Sequence, residues 1–426
     1  MVELAYYPWM RRSDSISDTS GIEDSPTSQM SKSPDPRPRP LRIALVYPGC
    51  STLGGVERVV WEAARFLSKH NEVTVVAREV NDLPAGVEFR PVREDDRLDG
   101  IGPLRPLAFR RSARRALEGL HRDVTVVYGS ECPAGDVYVI GSVHKAWLRK
   151  AGPATIRGIT VSGRFRYISP NNLVILWLER SLLANAAGRT LVPCSDVVTT
   201  DLASLYGLRH NPVTVVNNGF SPEQFSPERR STLRVTSRSD LGYGEDDVVM
   251  LMAANEWQRK GLPVLLEAMR LLNQPSLHLL LVGRINPDHH LTGIEDSVLA
   301  SHVRYLGASR DVAVQHAVAD LFVMPTQYEA FSLAIVEALA SGLPVITTTV
   351  PGAGDTIIED VNGLLLSDPT SAEELAALLK RGLDPGTRRR WSDAAPSTVS
   401  QYSWDGLMGK FEQVIRGIAE GTSGSM

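Results

Sequence analysis

Cysteine is scarce in this sequence of 426 residues, and the three cysteines lie far apart. Cys50, Cys132 and Cys194 form no C-x-x-C pair, which fits neither a disulfide framework nor a zinc site. We therefore expect a protein of a reducing compartment, the cytosol being the simplest.

Long apolar runs and a basic excess are also missing. No stretch approaches the roughly 20 residues of a membrane span, and the N-terminus lacks the apolar core of a signal peptide. The formal net charge is -4, whereas neutralising nucleic-acid phosphates requires an excess of Lys and Arg. These absences argue against a membrane-spanning protein and a dedicated nucleic-acid binder, and they predict a cytoplasmic location.

The composition is that of an ordinary globular protein, with 43% hydrophobic and 22% charged residues, so most of the chain should pack. Its length favours two or more domains. The tail at 1–40 differs, because Ser13–Pro40 is rich in Ser, Asp and Pro ("SPTSQMSKSPDPRPRP"). Such a segment buries too little apolar surface to offset its ordering entropy, and we predict a disordered tail.

Short apolar strands alternate with helices in two series along the chain. The first series begins with "RIALVY" at 42–47 and ends with "VTVVNN" at 213–218. The second begins with "DVVMLMAA" at 247–254 and ends with "PVITTT" at 344–349. This alternation is typical of parallel sheets covered on both faces. The sequence therefore predicts an α/β protein with two Rossmann-like, doubly wound domains that face each other across a cleft.

A boundary between the two series is predicted at "NNGFSPEQFSPERRSTLRVTSRSD", where Pro, Ser and charged residues concentrate and apolar periodicity vanishes. We expect a hinge there. The predicted organisation is a tail at 1–40, an N-terminal domain at 41–220, a linker at 221–240, a C-terminal domain at 241–401 and a C-terminal helix at 402–420.

Cations follow a predicted strand of the second series, at the edge where open parallel sheets bind ligands. Arg259 and Lys260 stand directly before a predicted helix, where positive side chains and free helix N–H groups favour an anion such as phosphate. A solvated basic turn is the alternative. Gly283 ends another strand and allows a ligand to approach the backbone, although plain turn glycines are equally common.

Two glutamates interrupt the apolar segment "YEAFSLAIVEALASGLPVITT" at 328–348. Glu329 precedes a predicted helix, and Glu337 lies within it. An ionised carboxylate in an apolar site is costly unless it is paired, and the vicinal hydroxyls of a sugar or ribose can donate two hydrogen bonds to it. The first N–H groups of this helix, at 331–334, are predicted to be free to hold a second phosphate.

The segment "EAFSLAIVEALASGLPVI" resembles the E-x7-E signature of the retaining GT-B glycosyltransferases of family 4. Further segments occur in that family's order, namely "STLGGVERVV", "NNGFSPEQFSP", "RKG", "VGR" and "YSWDGL". The resemblance covers 41–419. It implies a GT-B fold and a hexosyltransferase that moves a sugar from a nucleotide diphosphate sugar to an acceptor hydroxyl, with retention of anomeric configuration. It assigns the acceptor to the N-terminal domain and the nucleotide sugar to the C-terminal domain.

The resemblance also implies residue roles, with Glu329, His144, Lys260 and Arg259 as the catalytic set. Glu329 would contact hydroxyls of the donor sugar, while Arg259 and Lys260 would neutralise its diphosphate. Glu337 would bind the nucleotide ribose. His144, in "GSVHKAW", would hydrogen-bond the donor sugar or shield developing positive charge, and a structural role is the alternative for it. The other implied members of the nucleotide-sugar site are Gly54, Gly55, Gly283, Arg284, Ala330, Phe331, Ser332 and Leu333.

Some positions depart from the family pattern. Ala330 and Ser332 stand where many relatives have glycine, and Ser332 could cap the following helix. Asn255 stands where many relatives carry an arginine, and Arg259 could supply that charge. No D-x-D sequence occurs in the chain, so the implied reaction needs no metal ion and no cofactor besides the donor. A UDP-sugar is the expected donor, with a GDP-sugar as the alternative.

A nucleotide-sugar 2-epimerase or hydrolase on the same two-domain plan is the alternative function, and it would consume the donor without an acceptor. A dinucleotide-dependent oxidoreductase ranks low, because the glycine loop at 49–55 lacks G-x-G-x-x-G spacing.

The acceptor is left open between a small molecule, a glycolipid and a glycan. A predicted helix near 105–121 carries arginines along one side, at Arg110, Arg111, Arg114 and Arg115. Such a basic amphipathic helix suits either a solvated surface or a peripheral contact with the anionic inner membrane face or an acidic acceptor.

Overall fold

The computed structural model describes residues 39–93, 102–150, 154–156, 159–161, 169–186, 188–207, 211–291, 298–309 and 311–421. By its internal contacts, Pro40–Met426 forms one compact unit. The predicted tail at 1–40 lies outside the described residues except for its last two positions, so its disorder stays a prediction.

The N-terminal half is built on a parallel sheet that has six strands in its described part. Its central strand Arg42–Val46 pairs with Glu72–Ala77 on one side and with Val124–Tyr128 on the other. All of Val124–Tyr128 is buried, as expected for a strand covered on both faces. In spatial order the strands are Thr190–Pro193, Val137–Ile140, Val124–Tyr128, Arg42–Val46, Glu72–Ala77 and Val87–Pro91.

The C-terminal half repeats this arrangement with a second six-stranded sheet in its described part. Its central strand Val248–Ala253 pairs in parallel with Leu277–Val282 and with Leu321–Met324. Strand order therefore reverses beside the central strand of each sheet, and such a switch point opens a crevice at the carboxyl ends of the strands. In spatial order the strands are Val303–Tyr305, Leu277–Val282, Val248–Ala253, Leu321–Met324, Val345–Thr348 and Gly363–Leu366.

Helices connect the strands of both halves. Those of the N-terminal half are Val56–Leu67, Arg105–Leu117, His144–Lys150, Pro170–Asn185 and Asp196–Tyr206. Those that follow are Pro227–Leu241, Trp257–Lys260, Leu262–Leu272, Asp288–Leu291, Val312–Val318, Leu333–Ala340, Ala372–Gly382, Pro385–Thr398 and Trp404–Ala419. None of the helices searched in the described ranges is long and apolar enough to cross a membrane.

The two predicted parallel-sheet halves are confirmed, but the strand predicted at 213–218 is not. That segment forms only an isolated bridge, between Val213 and Leu191. Backbone hydrogen bonds from Thr214 to Leu191 at 3.0 Å and from Val216 to Pro193 at 3.1 Å keep it beside the edge strand. The edge itself is formed by Thr190–Pro193, four buried residues too few to show a pattern in the sequence.

The segment 221–240, predicted as a linker, contains most of the helix Pro227–Leu241. Its arginines hold it against the C-terminal half by donating to backbone carbonyls at the end of another helix. Arg230 Nε lies 3.1 Å from the oxygen of His316, and Arg234 Nη1 lies 3.0 Å from that of Ala317. Apolar periodicity is missing because this helix packs through guanidinium groups. The domain boundaries themselves stay a prediction.

The chain passes from one half to the other twice, and the two connecting segments lie side by side. Phe220 N–H donates to Tyr402 O at 3.0 Å, and Trp404 N–H donates back to Phe220 O at 3.0 Å. After the second crossing, the helix Trp404–Ala419 packs its apolar residues against the first helix of the N-terminal half. Asp405, near the start of that helix, pairs with Arg65 at 2.6 Å.

The basic helix Arg105–Leu117 differs from its prediction at one arginine. Arg110 is half-buried, and its Nη1 donates to Ser181 Oγ of a neighbouring helix at 3.2 Å. Arg111, Arg114 and Arg115 are exposed. The exposed basic side therefore excludes Arg110.

A histidine is fully buried beneath the signature helix Leu333–Ala340. His316 Nδ1 lies 3.0 Å from Ser341 Oγ, directly after that helix, and the His316 ring lies 5.3 Å from the ring of Phe225. Burial, with the charge of Arg230 as a smaller cause, lowers the pKa of His316 to about 3. The folded protein therefore holds this ring neutral.

Replacing His316 should weaken the dependence of the unfolding free energy on pH at acidic pH. The pKa of His316 is about 3 in the folded state and about 6.5 in an unfolded chain. The stability that the neutral His316 ring contributes is therefore fully present above pH 6.5 and is lost as the pH falls toward 3. Urea unfolding at several pH values should give His316→Gln a shallower loss of unfolding free energy than the wild type. The exposed His70→Gln variant is the control, and equal slopes for His316→Gln and the wild type would contradict the assignment.

Candidate active site

A cleft between the two halves contains a cavity of about 820 Å³. It lies at the carboxyl ends of the strands of both sheets, as expected for open parallel sheets. Every site residue predicted from the sequence lines this cavity. They are Gly54, Gly55, His144, Arg259, Lys260, Gly283, Arg284, Glu329, Ala330, Phe331, Ser332, Leu333 and Glu337.

Glu329 is paired with Lys260 inside the cavity. Lys260 Nζ contacts Glu329 Oε2, and both side chains are largely buried, at 13% and 12% exposure. Burial lowers the pKa of Lys260, while the charge of Glu329 works in the opposite direction. The predicted sugar-binding acid and the predicted phosphate-binding cation therefore form a single unit at the end of Leu321–Met324.

A tight turn brings the two cations to this place. Arg259 and Lys260 end the single-turn helix Trp257–Lys260, and Gly261 follows with φ +88°. A Cβ on Gly261 would lie 2.1 Å from Pro325 O, so only glycine fits there. Arg259 donates to the carbonyl of Tyr328, which ties the turn to the residue before Glu329.

The signature helix Leu333–Ala340 begins at the cavity. Ser332 is its N-cap, with Oγ accepting from Ile335 N–H at 3.4 Å, which confirms the predicted cap. One predicted phosphate donor is wrong, because Ser332 N–H is occupied by Gly352 O at 3.3 Å. The loop before the helix is fastened by Ser195 of the N-terminal half, whose Oγ donates to Ala330 O at 2.7 Å. Phe331, Leu333 and Ala334 also line the cavity.

Glu337 is buried, with 6% of its surface exposed, and it has a partner that was not predicted from the sequence. Arg58 Nη1 lies 2.5 Å from Glu337 Oε1. Burial raises the pKa of Glu337, and the Arg58 charge opposes that rise. Arg58 belongs to the first helix of the N-terminal half, so this ion pair crosses the cleft. Its sequence position, four residues after Gly54, places Arg58 one helical turn beyond the glycine loop but does not reveal this partner.

The predicted glycines differ in why they are needed. Gly54 has φ +110°, and a Cβ there would meet Glu57 Oε2 at 2.7 Å, whereas a Cβ on Gly55 would meet nothing within 4 Å. Gly283 is required by packing, since its Cβ would lie 1.8 Å from Ala254 O. Asn255 holds the following residue, because its Oδ1 accepts from Arg284 N–H at 2.7 Å.

His144 begins the helix His144–Lys150 on the opposite wall. The buried Glu179 caps that helix, accepting from the backbone N–H of His144 at 2.6 Å and of Lys145 at 3.3 Å. The Tyr206 hydroxyl also donates to Glu179. Burial lowers the pKa of His144, and a hydrogen bond with Asn172 opposes the shift. His144 Nε2 is buried and has no hydrogen-bond partner among the described residues.

Glu179 and Tyr206 were not predicted from the sequence. Glu179 also lines the cavity, yet it stands in the helical stretch "LWLERSLLAN", where a single acid reads as an exposed residue. Its burial follows from the helix start that it caps, which is distant in sequence. Burial raises the pKa of Glu179, and the Tyr206 hydroxyl and the two amides oppose that rise.

Two family models match the chain. Residues 53–224 match Glycosyltransferase Family 4, and residues 234–398 match Glycosyl transferases group 1. Two facing parallel sheets with a charged cleft between them have the arrangement of the GT-B fold. With both halves matched, the chain belongs to the glycosyltransferases of family 4.

Curated relatives agree with this family. A D-inositol 3-phosphate glycosyltransferase of Xylanimonas cellulosilytica is 27% identical over 399 residues, which cover 85% of this chain and 91% of the relative. The lipopolysaccharide glucosyltransferase WaaG of Escherichia coli is 26% identical over 247 residues, which cover 57% of this chain and 66% of WaaG.

Solved structures confirm the fold. A crystal structure of WaaG matches with a TM-score of 0.75 and 21% identity, covering 88% of this chain and 100% of the other. Anabaena HepE in complex with UDP and glucose matches with a TM-score of 0.66 and 19% identity, over 88% and 100% of the two chains. The predicted GT-B fold is thus confirmed, and the family models and curated relatives confirm the predicted glycosyltransferase class.

Removing the carboxylate of Glu179 should destabilise the protein. Glu179→Ala deprives two partly buried amides of their acceptor, which costs about 1–3 kcal/mol of unfolding free energy. Tyr206→Phe removes one hydroxyl and should cost about 1 kcal/mol. Urea unfolding measures both. The exposed Glu118→Ala serves as the control, and a Glu179→Ala variant no less stable than this control would refute the capping role.

Proposed function

We propose that the protein transfers a sugar from a nucleoside diphosphate sugar to an acceptor hydroxyl, with retention of anomeric configuration and without a metal ion. A UDP-sugar is the first candidate donor. The observation that carries the proposal is the cluster of Arg259, Lys260 and Glu329 at one strand end, in the same cavity as the buried Glu337. The complexes of HepE with UDP and with UDP-glucose support this choice of donor.

The donor fits this cluster by its charges and hydroxyls. The diphosphate lies against Arg259, Lys260 and the start of the signature helix, where positive side chains and backbone N–H groups converge. The ribose hydroxyls donate to Glu337, and the hydroxyls of the sugar donate to Glu329. Carboxylates accept two such bonds readily.

The chemistry follows from where charge develops. As the glycosidic bond to the diphosphate breaks, negative charge accumulates on the leaving group and positive charge on the anomeric carbon. Lys260 and Arg259 stabilise the departing diphosphate, and a preorganised charge in a cleft with little water acts strongly on it. These two cations supply the charge that a metal ion would otherwise bring.

His144 faces the donor sugar in this proposal. Its lowered pKa describes a neutral imidazole, and its buried Nε2 has no partner among the described residues. The cap of its helix by Glu179 fixes where that nitrogen lies. Nothing in the comparisons favours the epimerase or hydrolase alternative.

The acceptor side has an exposed surface that suits an anionic interface. On the helix Pro170–Asn185, Leu173 and Trp177 are 51% and 57% exposed, and their spacing of four residues puts them on one face. This helix adjoins the basic helix, whose exposed arginines are Arg111, Arg114 and Arg115. Apolar side chains beside cations bind the boundary between headgroups and acyl chains. We therefore propose a peripheral contact with an anionic lipid surface that carries the acceptor.

Binding of UDP should depend on the two cations. Each lost charged hydrogen bond removes about 1.5–3 kcal/mol, so Lys260→Ala and Arg259→Ala should each weaken UDP affinity roughly 10- to 150-fold in calorimetric titration. The exposed Lys410→Ala is the matched control. Adding EDTA should not change the affinity for UDP. The wild type should release UDP from UDP-glucose only when an acceptor is present. Normal affinity in both cation variants would refute the proposed donor site.

Membrane contact should depend on charge and on the exposed tryptophan. In flotation assays the protein should bind vesicles containing phosphatidylglycerol and should detach as salt screens the attraction. Trp177→Ser and a triple Ser variant at Arg111, Arg114 and Arg115 should each weaken binding. Equal flotation with purely zwitterionic vesicles, or none with anionic ones, would contradict the proposed surface.

A further inference from the structure

The ion pair between Arg58 and Glu337 joins the two halves through the nucleotide part of the site. Arg58 lies on Val56–Leu67 of the N-terminal half, and Glu337 lies on Leu333–Ala340 of the C-terminal half. Their side chains are 12% and 7% exposed. A donor-binding acid of one half is therefore held by a cation from the other.

Arg58 is fixed by more than this pair. Its Nη2 donates to Gln224 Oε1 at 3.2 Å, and its guanidinium lies 5.5 Å from the centre of the Phe225 ring. Both contacts come from the junction between the halves. A planar guanidinium held on several sides presents its fork in one orientation, so the position of Glu337 Oε1 is fixed as well.

The residues beside Glu337 on its own helix provide no side chain that could pair with its carboxylate. Its neighbours Ile335, Val336, Ala338 and Leu339 are buried apolar residues. Removing one partner of a buried ion pair leaves the other charge uncompensated. Glu337 therefore depends on Arg58 for both its charge and its place.

We propose that Arg58 is a positioning residue for nucleotide binding: it takes Glu337 Oε1 and leaves Oε2 to accept from the vicinal hydroxyls of the ribose. The inference rests on the proposed function, in which Glu337 binds that ribose. It adds that affinity for the nucleotide depends on an arginine of the opposite half, and hence on the two halves being together.

The charges facing Glu337 determine how this dependence varies with pH. Burial raises the pKa of Glu337, Arg58 lowers it, and Glu62 on the same helix as Arg58 raises it. Glu62 is itself paired with Arg65 at 2.8 Å. Without Arg58, the pKa of Glu337 should rise further, and the protonated acid is a poorer acceptor for a diol.

The test is calorimetric titration of the full chain with UDP, and with GDP, ADP and TDP, at pH about 8 and about 5.5. Arg58→Ala should weaken affinity about 10-fold, or about 1.4 kcal/mol, and more at the lower pH. Arg58→Lys should restore part of the loss. Glu337→Gln should weaken binding too, and adding Arg58→Ala to it should cause little further loss.

Lys410→Ala is the control. Lys410 is exposed and does not line the cavity. It should keep wild-type affinity and its pH profile. If Arg58→Ala fails to fold, Arg58→Gln provides the same comparison with a shorter, uncharged polar side chain.

The outcomes separate the two ideas. Equal or tighter binding in Arg58→Ala, or additive losses in the double variant, would overturn the positioning role while the donor site stands. A wild type that binds none of the four nucleoside diphosphates would overturn the proposed function and this inference together.

Discussion

The two buried acids of the signature segment, Glu329 and Glu337, require cations, and much of the site is arranged to supply them. Glu329 is met by Lys260 from the same half, and Glu337 is met by Arg58 from the other half. Breaking such a pair costs about 3–5 kcal/mol when one charge is left buried. The sharp turn at Gly261, the fastening of the loop by Ser195 and the guanidinium contacts of Arg58 all serve to keep these charges matched. A site that holds charge at this cost is suited to a ligand that carries both an anion and neutral hydroxyls.

The parts of the fold and site that could be predicted from the sequence are those in which neighbouring residues determine the result. Continuous apolar strands such as "DVVMLMAA" form where parallel sheets need them, observed as Val248–Ala253. The two glutamates and the Arg259–Lys260 pair were found because each lies in a short segment whose strand-to-helix change is visible locally. Gly283 was predicted to let a ligand approach the backbone, but the group that a Cβ there would meet is Ala254 O of the protein itself.

What could not be predicted depends on partners distant in the chain. Glu337 and Arg58 are separated by 279 positions, and nothing local in "GGVERVV" says that the arginine meets the signature helix. Glu179 looks like a helix-surface acid until the start of another helix is placed against it. The helix Pro227–Leu241 lacks an apolar stripe because arginines bind carbonyl oxygens of its neighbour, and no periodicity method detects that kind of packing.

The paired crossings at Phe220 and Tyr402–Trp404 limit how this molecule can move. The two connections are joined there by the pair of hydrogen bonds of a parallel bridge. They act as a hinge, because sliding one half past the other would stretch both hydrogen bonds at once, whereas turning about them stretches neither. Opening of the cleft is therefore expected to be a rotation about this hinge, and the cleft should widen most at the rim farthest from it. Substrates would enter from that rim. Each opening would separate Arg58 from Glu337, and each closing would restore the same ion pair.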